Sequence, residues 1–236
     1  MTSEPASAIR IPRATFASIV TERLRAAIVN GSLKPGSQLS EVELANTFGV
    51  SRGPVREALQ RLVQEGLLLS EPHRGVFIPV LTDDDILDIY LAREALESAA
   101  IRLIVANGTS AAASEALDQY VTEMEKAEAA GDWEAVGNFD LEFHLALVAA
   151  SGSQRLQRMF STVISETRLC LGALTAGDAR VDLVQEHRQI CDLMQEGETE
   201  QALAVLGKHF DGALVTLAGR QRADAATVDG RGGPHD

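Results

Sequence analysis

The sequence predicts a mainly α-helical protein with two parts, an N-terminal winged helix-turn-helix over residues 14–80 and an antiparallel all-helical bundle over residues 81–222. Three observations predict this arrangement. Up to Gly66, apolar residues recur at helical spacing in segments that turn residues separate, and a short hairpin pattern follows. Beyond Thr82 the apolar stripes have helical spacing, and glycines separate them. A chain of 236 residues is long enough for two hydrophobic cores.

The first helix is predicted over residues 15–30, and Gly31 is expected to end it, because glycine adopts the left-handed backbone conformation at little cost. Its apolar side chains recur at helical spacing, so we expect one buried side formed by Phe16, Ile19, Val20, Leu24, Ala27 and Ile28. Residues 33–39 are predicted to form an extended connector and turn.

A second, short helix is predicted to follow Ser40 and to end at Phe48. Ser40 and Glu43 have the spacing of a capping box, in which each residue's side chain bonds the backbone N–H of the other. Gly49 and Val50 then form a tight turn into a third helix.

The third helix begins after Ser51, which is a favourable N-cap, and Pro54 is tolerated in its first turn. One apolar stripe is expected to be buried: Val55, Leu59 and Leu62. Arg52 and Arg56 lie one turn apart on another face, where guanidinium groups suit phosphate oxygens and guanine edges. An amphipathic helix with two arginines is usually only a solvated surface helix, so the flanking elements decide its interpretation.

The last element of the N-terminal part is a predicted β-hairpin over residues 67–78, with a turn at residues 71–75. Its tip carries Arg74 and Gly75. A cation and a close backbone approach both suit a narrow DNA groove. The hairpin therefore predicts the wing of a winged helix-turn-helix.

Charge separates the two parts. The whole chain has a net charge of −13, but residues 1–80 hold nine Lys/Arg against seven Asp/Glu, a balance of +2. Residues 81–236 hold twelve against twenty-seven, a balance of −15. Because neutralisation of phosphates drives DNA binding, only the first part is expected to face DNA.

These motifs resemble the DNA-binding domain of GntR-family transcription regulators in order and spacing. The resemblance rests on Leu-Ser-Glu-Val-Glu-Leu-Ala (39–45), Gly-Val-Ser-Arg-Gly-Pro-Val-Arg-Glu-Ala-Leu (49–59), Gly-Leu (66–67) and Arg-Gly-Val-Phe (74–77). It implies DNA contacts by Ser51, Arg52, Gly53, Arg56, Arg74 and Gly75. Two positions depart from the family: Gly53 stands where many members carry Thr, and Val42 stands where some carry Arg.

The second part is predicted to begin with a helix that is capped by Thr82 and the three following aspartates and that runs to Gly108. Further helices are predicted over residues 110–130, 132–151, 153–176, 180–196 and 198–221. Each carries a heptad-like apolar stripe, which favours an antiparallel bundle.

Four polar side chains fall on predicted interior faces of this bundle. Asp140 and His144 are four residues apart, so they share one helix face. The next side chain on that face, Leu147, is apolar, so the face is expected to point into the bundle. His187 and His209 also lie in apolar stripes. A single such histidine is more often a hydrogen-bonded core residue, but one Asp and three His together suit a divalent metal. Zinc is the best match, with nickel or manganese as alternatives.

The same four positions resemble the FCD ligand-binding domain of FadR-type GntR regulators, over about residues 85–220. The resemblance rests on Asp-Leu-Glu-Phe-His (140–144), Glu-His (186–187) and His209, since metal-binding members use one Asp and three His in this order. It implies that a small carboxylate metabolite binds beside the metal and that Arg93 contacts it. The alternative for Arg93 is a surface or interface ion pair with Glu94 or Glu97.

Three functions are compatible with such a site. A metal with open positions could be a hydrolase or lyase centre, but Glu142 faces away from Asp140, Glu186 has no assigned place, and a DNA-binding part would be unexplained. The metal could itself be the signal, or a structural brace. The favoured interpretation is a metabolite-responsive repressor that binds a palindromic operator as a homodimer.

The remaining features place the protein in the cytoplasm. The two cysteines, Cys170 and Cys191, are expected to be unpaired core residues of a protein from a reducing compartment. We expect no signal peptide, because the N-terminal residues lack an apolar core of signal-peptide length, and no segment approaches the roughly 18 apolar residues of a membrane span. Residues 1–13 and 223–236 are expected to be disordered tails.

Overall fold

A computed structural model describes residues 15–171 and 182–229. Its elements in chain order are α1 (Phe16–Val29), β1 (Gln38–Leu39), α2 (Glu41–Phe48), α3 (Arg52–Gln64), β2 (Leu69–Glu71), β3 (Gly75–Phe77), α4 (Asp83–Ala106), α5 (Ser110–Ala130), α6 (Trp133–Ala150), α7 (Gln154–Leu171), α8 (Leu183–Glu196) and α9 (Thr199–Asp229). The predicted fold class, a winged helix-turn-helix followed by a helical bundle, is confirmed.

The N-terminal part is a three-helix unit with a small antiparallel sheet of strand order β1-β3-β2. Leu69 pairs with Phe77 and Glu71 with Gly75, which closes the predicted hairpin. The connector before α2 supplies the third strand, since Gln38 pairs with Phe77. Helix α1 packs on α3, and their apolar faces share one core with the hairpin.

The buried face of α1 differs in part from the prediction. Val20, Leu24 and Ile28 are buried as expected, but Phe16 and Ile19 are 68% and 44% exposed. Ala17 takes the buried place in the first turn. The buried positions of α1 follow helical spacing from Ala17 through Val20 and Leu24 to Ile28. Phe16 and Ile19 each precede a buried residue, so they lie about 100° to one side of the buried stripe.

The bundle is built around α4, which packs against α6, α7 and α9, while α5 packs against α6 and α8. Thr82 caps α4 in a complete capping box with Asp85. Gly131 and Gly197 end α5 and α8 in the left-handed conformation, as their positions predict. Among the described helices, none is both long enough and apolar enough to span a lipid bilayer.

The helix ends in the last third differ from the sequence boundaries. Helix α8 begins at Leu183 rather than at residue 180, and α9 continues to Asp229, seven residues into the segment expected to be a tail. Residues 1–14, 172–181 and 230–236 lie outside the described residues, and with them the N-terminal tail and the predicted end of the helix over 153–176. Both cysteines are unpaired, as expected.

Candidate metal centre and DNA-binding surface

Three helices bring the predicted metal ligands together in the middle of the bundle. Helix α6 carries Asp140 and His144, α8 carries His187, and α9 carries His209. All four are buried: the histidines are at most 2% exposed and Asp140 is 6% exposed. One ligand atom from each residue lies within 4.8 Å of the others, so the cluster could hold a metal ion.

The Nε2 atoms of the three histidines converge on one carboxylate oxygen. Oδ1 of Asp140 lies 3.2 Å from Nε2 of His187, 3.7 Å from that of His209 and 3.8 Å from that of His144. Nε2 of His144 is 3.2 Å from Nε2 of His209 and 3.4 Å from that of His187. Two nitrogens at about 2.0–2.1 Å from a tetrahedral zinc lie about 3.3 Å apart, so these distances fit such an ion.

The other ring nitrogen of each histidine contacts a hydrogen-bond acceptor. Nδ1 of His187 lies 2.8 Å from the carbonyl oxygen of Leu183, and Nδ1 of His209 lies 3.3 Å from Oε2 of Glu186. Nδ1 of His144 forms a short contact with Oε2 of Glu97. A neutral imidazole that donates from Nδ1 keeps its lone pair on Nε2. The acceptors therefore favour the tautomer that coordinates a cation at the point of convergence.

Such a constellation is unfavourable without a positive charge at its centre. If all three rings carried their protons on Nδ1, three nitrogen lone pairs would face a carboxylate oxygen. Among the described residues Asp140 has ion-pair contacts only with these three imidazoles. Burial raises the pKa of Asp140, but charge interaction and hydrogen bonding with His144 and His187 outweigh it and hold this pKa well below its usual range. An ionised carboxylate and three imidazoles are the donor set of a divalent metal site.

Burial and charge act differently on two of the histidines. Burial lowers the pKa of His144, but the carboxylates of Glu97 and Asp140 reverse the effect and raise it above the ordinary value. A proton on His144 can thus supply positive charge to the cluster. Burial dominates at His209 and lowers its pKa to about 3 against the opposing effect of Glu186, so that ring is neutral at pH 7.

Arg93 of α4 lies next to this cluster and is only 1% exposed. Its Nε donates to Oε1 of Glu97 at 3.1 Å, and its guanidinium carbon lies 4.7 Å from the ring centre of Phe210 and 5.3 Å from that of Tyr90. Its Nη2 is buried and has no hydrogen-bond partner among the described residues. The ion pair between Arg93 and Glu97, which was the alternative role expected for Arg93, is present, but it is buried rather than on the surface. It leaves Nη2 without a partner in the part of the chain that the structure describes.

Two carboxylates of the site were not assigned a role from the sequence. Glu97 and Glu186 are buried, at 0% and 2% exposure, and each contacts the Nδ1 atom of a histidine on another helix. The four-residue spacing of Arg93 and Glu97 predicts their ion pair on one helix. It does not predict the contact of Glu97 with His144, because contacts between helices leave no local sequence pattern. Glu142 faces away from Asp140 as predicted and pairs with Arg168 at 2.8 Å.

The six residues implied in DNA contact are all exposed on the N-terminal part. Arg52 and Arg56 lie side by side at the start of α3, where Glu41 of α2 accepts hydrogen bonds from both at 2.8–2.9 Å. These hydrogen bonds lower the pKa of Glu41 to about 2, and the bond from Arg56 has a larger effect than the bond from Arg52. Ser51 occupies the N-cap position but makes no side-chain cap bond, so its hydroxyl is not used by the helix.

The tip of the hairpin carries the other two residues. Arg74 pairs with Glu71, and its guanidinium lies 5.5 Å from the ring centre of Phe77. Gln38 of β1 donates to the carbonyl oxygen of Arg74 at 2.6 Å. Gly75 has φ +110°, and a Cβ there would lie 2.9 Å from Nε2 of Gln38. The close approach of the Gln38 side chain to the backbone therefore requires glycine at this position, even without DNA.

Family comparison agrees with both parts of the molecule. Residues 16–78 match the bacterial regulatory proteins of the gntR family, and residues 88–212 match the FCD domain. The chain belongs to the GntR family. As a GntR regulator with an FCD domain, it is a DNA-binding transcription regulator, and the family and its relatives are not enzymes.

Individual relatives extend over both parts of this GntR protein. It is 32% identical over 192 residues to the HTH-type transcriptional regulator YdhC of Bacillus subtilis, covering 80% of this chain and 85% of the relative. It is 31% identical over 213 residues to a probable D-xylose utilization operon transcriptional repressor of Paenarthrobacter nicotinovorans, covering 90% and 93%. A crystal structure of a putative GntR regulator from Rhodococcus sp. RHA1 superposes with a TM-score of 0.70 at 28% identity, covering 86% and 97%.

Proposed function

We propose that this GntR regulator controls an operator through a small carboxylate metabolite that binds beside a divalent metal in the helical domain. The observation that carries the proposal is the convergence of three Nε2 atoms on Asp140 next to Nη2 of Arg93, which is buried and has no hydrogen-bond partner among the described residues. Residues 14–80 serve as the DNA-binding domain, and residues 81–222 serve as the effector and dimerisation domain.

Zinc is the metal that this donor set favours, with nickel and manganese as alternatives. Asp140, His144, His187 and His209 would hold it, with one carboxylate and three imidazoles as ligands. The 3.2–3.4 Å spacing of the Nε2 atoms supports nitrogen ligands on a first-row metal. When bound, the metal would supply positive charge that attracts a carboxylate.

Arg93 is the proposed clamp for the organic ligand. Its guanidinium has a fixed fork geometry that matches a carboxylate, and the rings of Phe210 and Tyr90 hold its plane. Nε is engaged by Glu97, whereas the buried Nη2 has no partner among the described residues. A buried donor without a partner costs free energy, and a ligand carboxylate would recover that cost.

The DNA-binding function is proposed to use Ser51, Arg52, Gly53, Arg56, Arg74 and Gly75. The two arginines of α3 present guanidinium groups at the N-terminal end of the helix, which is also the positive end of its macrodipole. We propose a homodimer that binds a palindromic operator in the cytoplasm and acts as a repressor. The probable repressor of Paenarthrobacter nicotinovorans, which aligns with 90% of the chain, supports repression.

The first experiment is a thermal-shift titration of metal-free and zinc-loaded protein against a panel of small organic and sugar acids. We expect one acid to raise the melting temperature only when zinc is present, because Arg93 and the metal would bind it jointly. Stabilisation by zinc alone, with every acid inactive, would instead favour a metal-responsive regulator or a structural metal.

The metal assignment is tested by His144→Ala. This ring has its Nε2 within 3.2–3.4 Å of both other histidines, so its loss should remove one of four ligands at the centre of the cluster. We expect the purified variant to contain little zinc by elemental analysis and to lose the zinc-dependent thermal shift. His73→Ala is the control, because His73 is exposed at the hairpin turn. Equal zinc content in His144→Ala and the native protein would contradict the assignment.

A further inference from the structure

We infer that Glu97 is a positioning residue that links the metal ligand His144 to the carboxylate clamp Arg93. This inference rests on the proposed metal site and goes beyond it, since Glu97 is assigned neither to the metal nor to the effector. Its side chain is fully buried. Oε1 accepts from Nε of Arg93 at 3.1 Å, and Oε2 contacts Nδ1 of His144. One carboxylate thus contacts both the proposed carboxylate clamp and a proposed metal ligand.

The link depends on having two acceptor oxygens. Arg93 can only donate hydrogen bonds, so it requires an oxygen. His144 must also meet an oxygen at Nδ1, because the proton then stays on Nδ1 and the lone pair on Nε2 faces the other ligands. An ionised carboxylate meets both requirements, and an uncharged amide of the same shape meets only one.

This difference makes Glu97→Gln an informative substitution. The amide oxygen should turn towards Arg93, since two donors would otherwise face each other in a buried place. The amide NH₂ group would then face Nδ1 of His144 and favour the tautomer with its proton on Nε2. That tautomer has no lone pair on Nε2, the nitrogen that faces the other ligands. Zinc affinity should therefore fall by about 10- to 100-fold, the range typical when the hydrogen-bond partner of a metal ligand is removed.

Removal of Arg93 should reverse part of the defect. In the double variant Arg93→Met/Glu97→Gln the amide oxygen no longer has to face the guanidinium, so it can turn and accept from Nδ1 of His144. We expect the double variant to bind zinc more tightly than Glu97→Gln alone. A purely structural role for Glu97 predicts the opposite, because a second buried substitution would add to the damage.

The experiment measures the zinc dissociation constant of the full chain by competition with a chelator, with circular dichroism as a check of folding. Glu94→Gln is the matched control: it is the same change on the same helix, but Glu94 is exposed and should leave zinc affinity unchanged. His144→Ala separates the two hypotheses. If it keeps native zinc affinity, the metal site itself is wrong. If it loses zinc while Glu97→Gln does not, only the role of Glu97 is wrong.

A measurement on the native protein keeps the inference testable even if Glu97→Gln does not fold. The ¹⁵N chemical shifts of the imidazoles in the zinc-loaded protein report which ring nitrogen carries the proton. We expect the proton of His144 on Nδ1, hydrogen-bonded to Glu97. Coordination through Nδ1, or a proton on Nε2 of His144, would overturn the inference.

Discussion

At the scale of single residues, burial gives His209 the protonation state that metal coordination needs. A solvent-exposed histidine titrates near pH 6.5 and is partly protonated close to neutrality. His209 is 2% exposed, and its burial lowers its pKa to about 3. The ring is therefore neutral over the whole physiological range, and its Nδ1 contact with Glu186 directs the lone pair of Nε2 towards Asp140. The packing that hides the residue also prepares it as a ligand.

Arg56 allows a test of DNA binding by one residue. Its side chain is 57% exposed at the start of α3 and is held in place by Glu41, whose low pKa of about 2 keeps the ion pair intact at neutral pH. We expect Arg56→Ala to weaken binding to the specific operator by roughly 10- to 100-fold, because a guanidinium that reads a base or phosphate is lost. Fluorescence anisotropy with a duplex selected by the protein from a random library measures this.

The matched control for this test is Arg61→Ala. Arg61 lies on the same helix, is similarly exposed at 45% and forms an ion pair with Glu57, but it is one and a half turns further from the start of the helix. Its substitution removes the same charge and should change operator affinity much less. Equal losses for Arg56→Ala and Arg61→Ala would show that only general charge matters, and would contradict a specific contact by Arg56.

At the scale of elements, a capping box at the start of α4 contributes to the free energy of unfolding. Thr82 accepts from the backbone N–H of Asp85 at 3.2 Å, and the carboxylate of Asp85 accepts in return from the backbone N–H of Thr82 at 2.8 Å. We expect Thr82→Ala to lower the free energy of unfolding by about 1 kcal/mol, since both hydrogen bonds of the Thr82 hydroxyl to Asp85 are lost. Chemical denaturation of the metal-free protein, followed by circular dichroism, measures this change.

Ser51→Ala provides the comparison at another helix start. Ser51 occupies the N-cap position of α3 without a side-chain cap bond, so its replacement should change the free energy of unfolding by less than that of Thr82. If Ser51→Ala destabilises the protein as much as Thr82→Ala, the cap geometry does not explain helix stability here.

Most element boundaries follow from local signals that the sequence displays directly. Ser40, Gly49 and Gly131 mark helix ends because capping and positive φ depend on the residue itself. The exposure of Phe16 and Ile19 could not be predicted in this way. Periodicity shows which residues share a helix face, but only the packing of α1 on α3 determines how much of that face is covered.

The cluster of candidate metal ligands was predictable for a similar reason, and the carboxylates that contact its histidines were not. Asp140 and His144 are one turn apart, and apolar neighbours place them on an interior face. His187 and His209 occupy comparable stripes. Glu97 and Glu186 contact histidines that are 47 and 23 residues away in sequence, so their roles arise only when four helices come together.

At the scale of the whole molecule, α7 packs between the helices of the candidate metal ligands and the DNA-binding part. It packs against α4 and α6, which carry Arg93, Glu97, Asp140 and His144. At its other end Leu169 packs against the core of the N-terminal part, and the side chain of Glu166 lies 3.0 Å from the position of a Cβ at Gly66. Beside these contacts lies a cleft of about 580 Å³ that is lined by residues of α1, α3, α6 and α7. Coupling between two sites requires contiguous contacts of this kind or a shared change of state.

Leu169 is the residue at which this connection can be tested. We expect Leu169→Ala to retain zinc affinity, because the side chain packs on the N-terminal core rather than on the cluster. The difference in operator affinity between zinc-loaded and metal-free protein should shrink, since coupling free energies of about 1–3 kcal/mol depend on contacts that change between states. Met159→Ala, which removes an exposed side chain of the same helix, should leave that difference unchanged. Retention of the full zinc-dependent difference by Leu169→Ala would mean that the signal reaches the DNA-binding part by another route, such as the chain segment between β3 and α4.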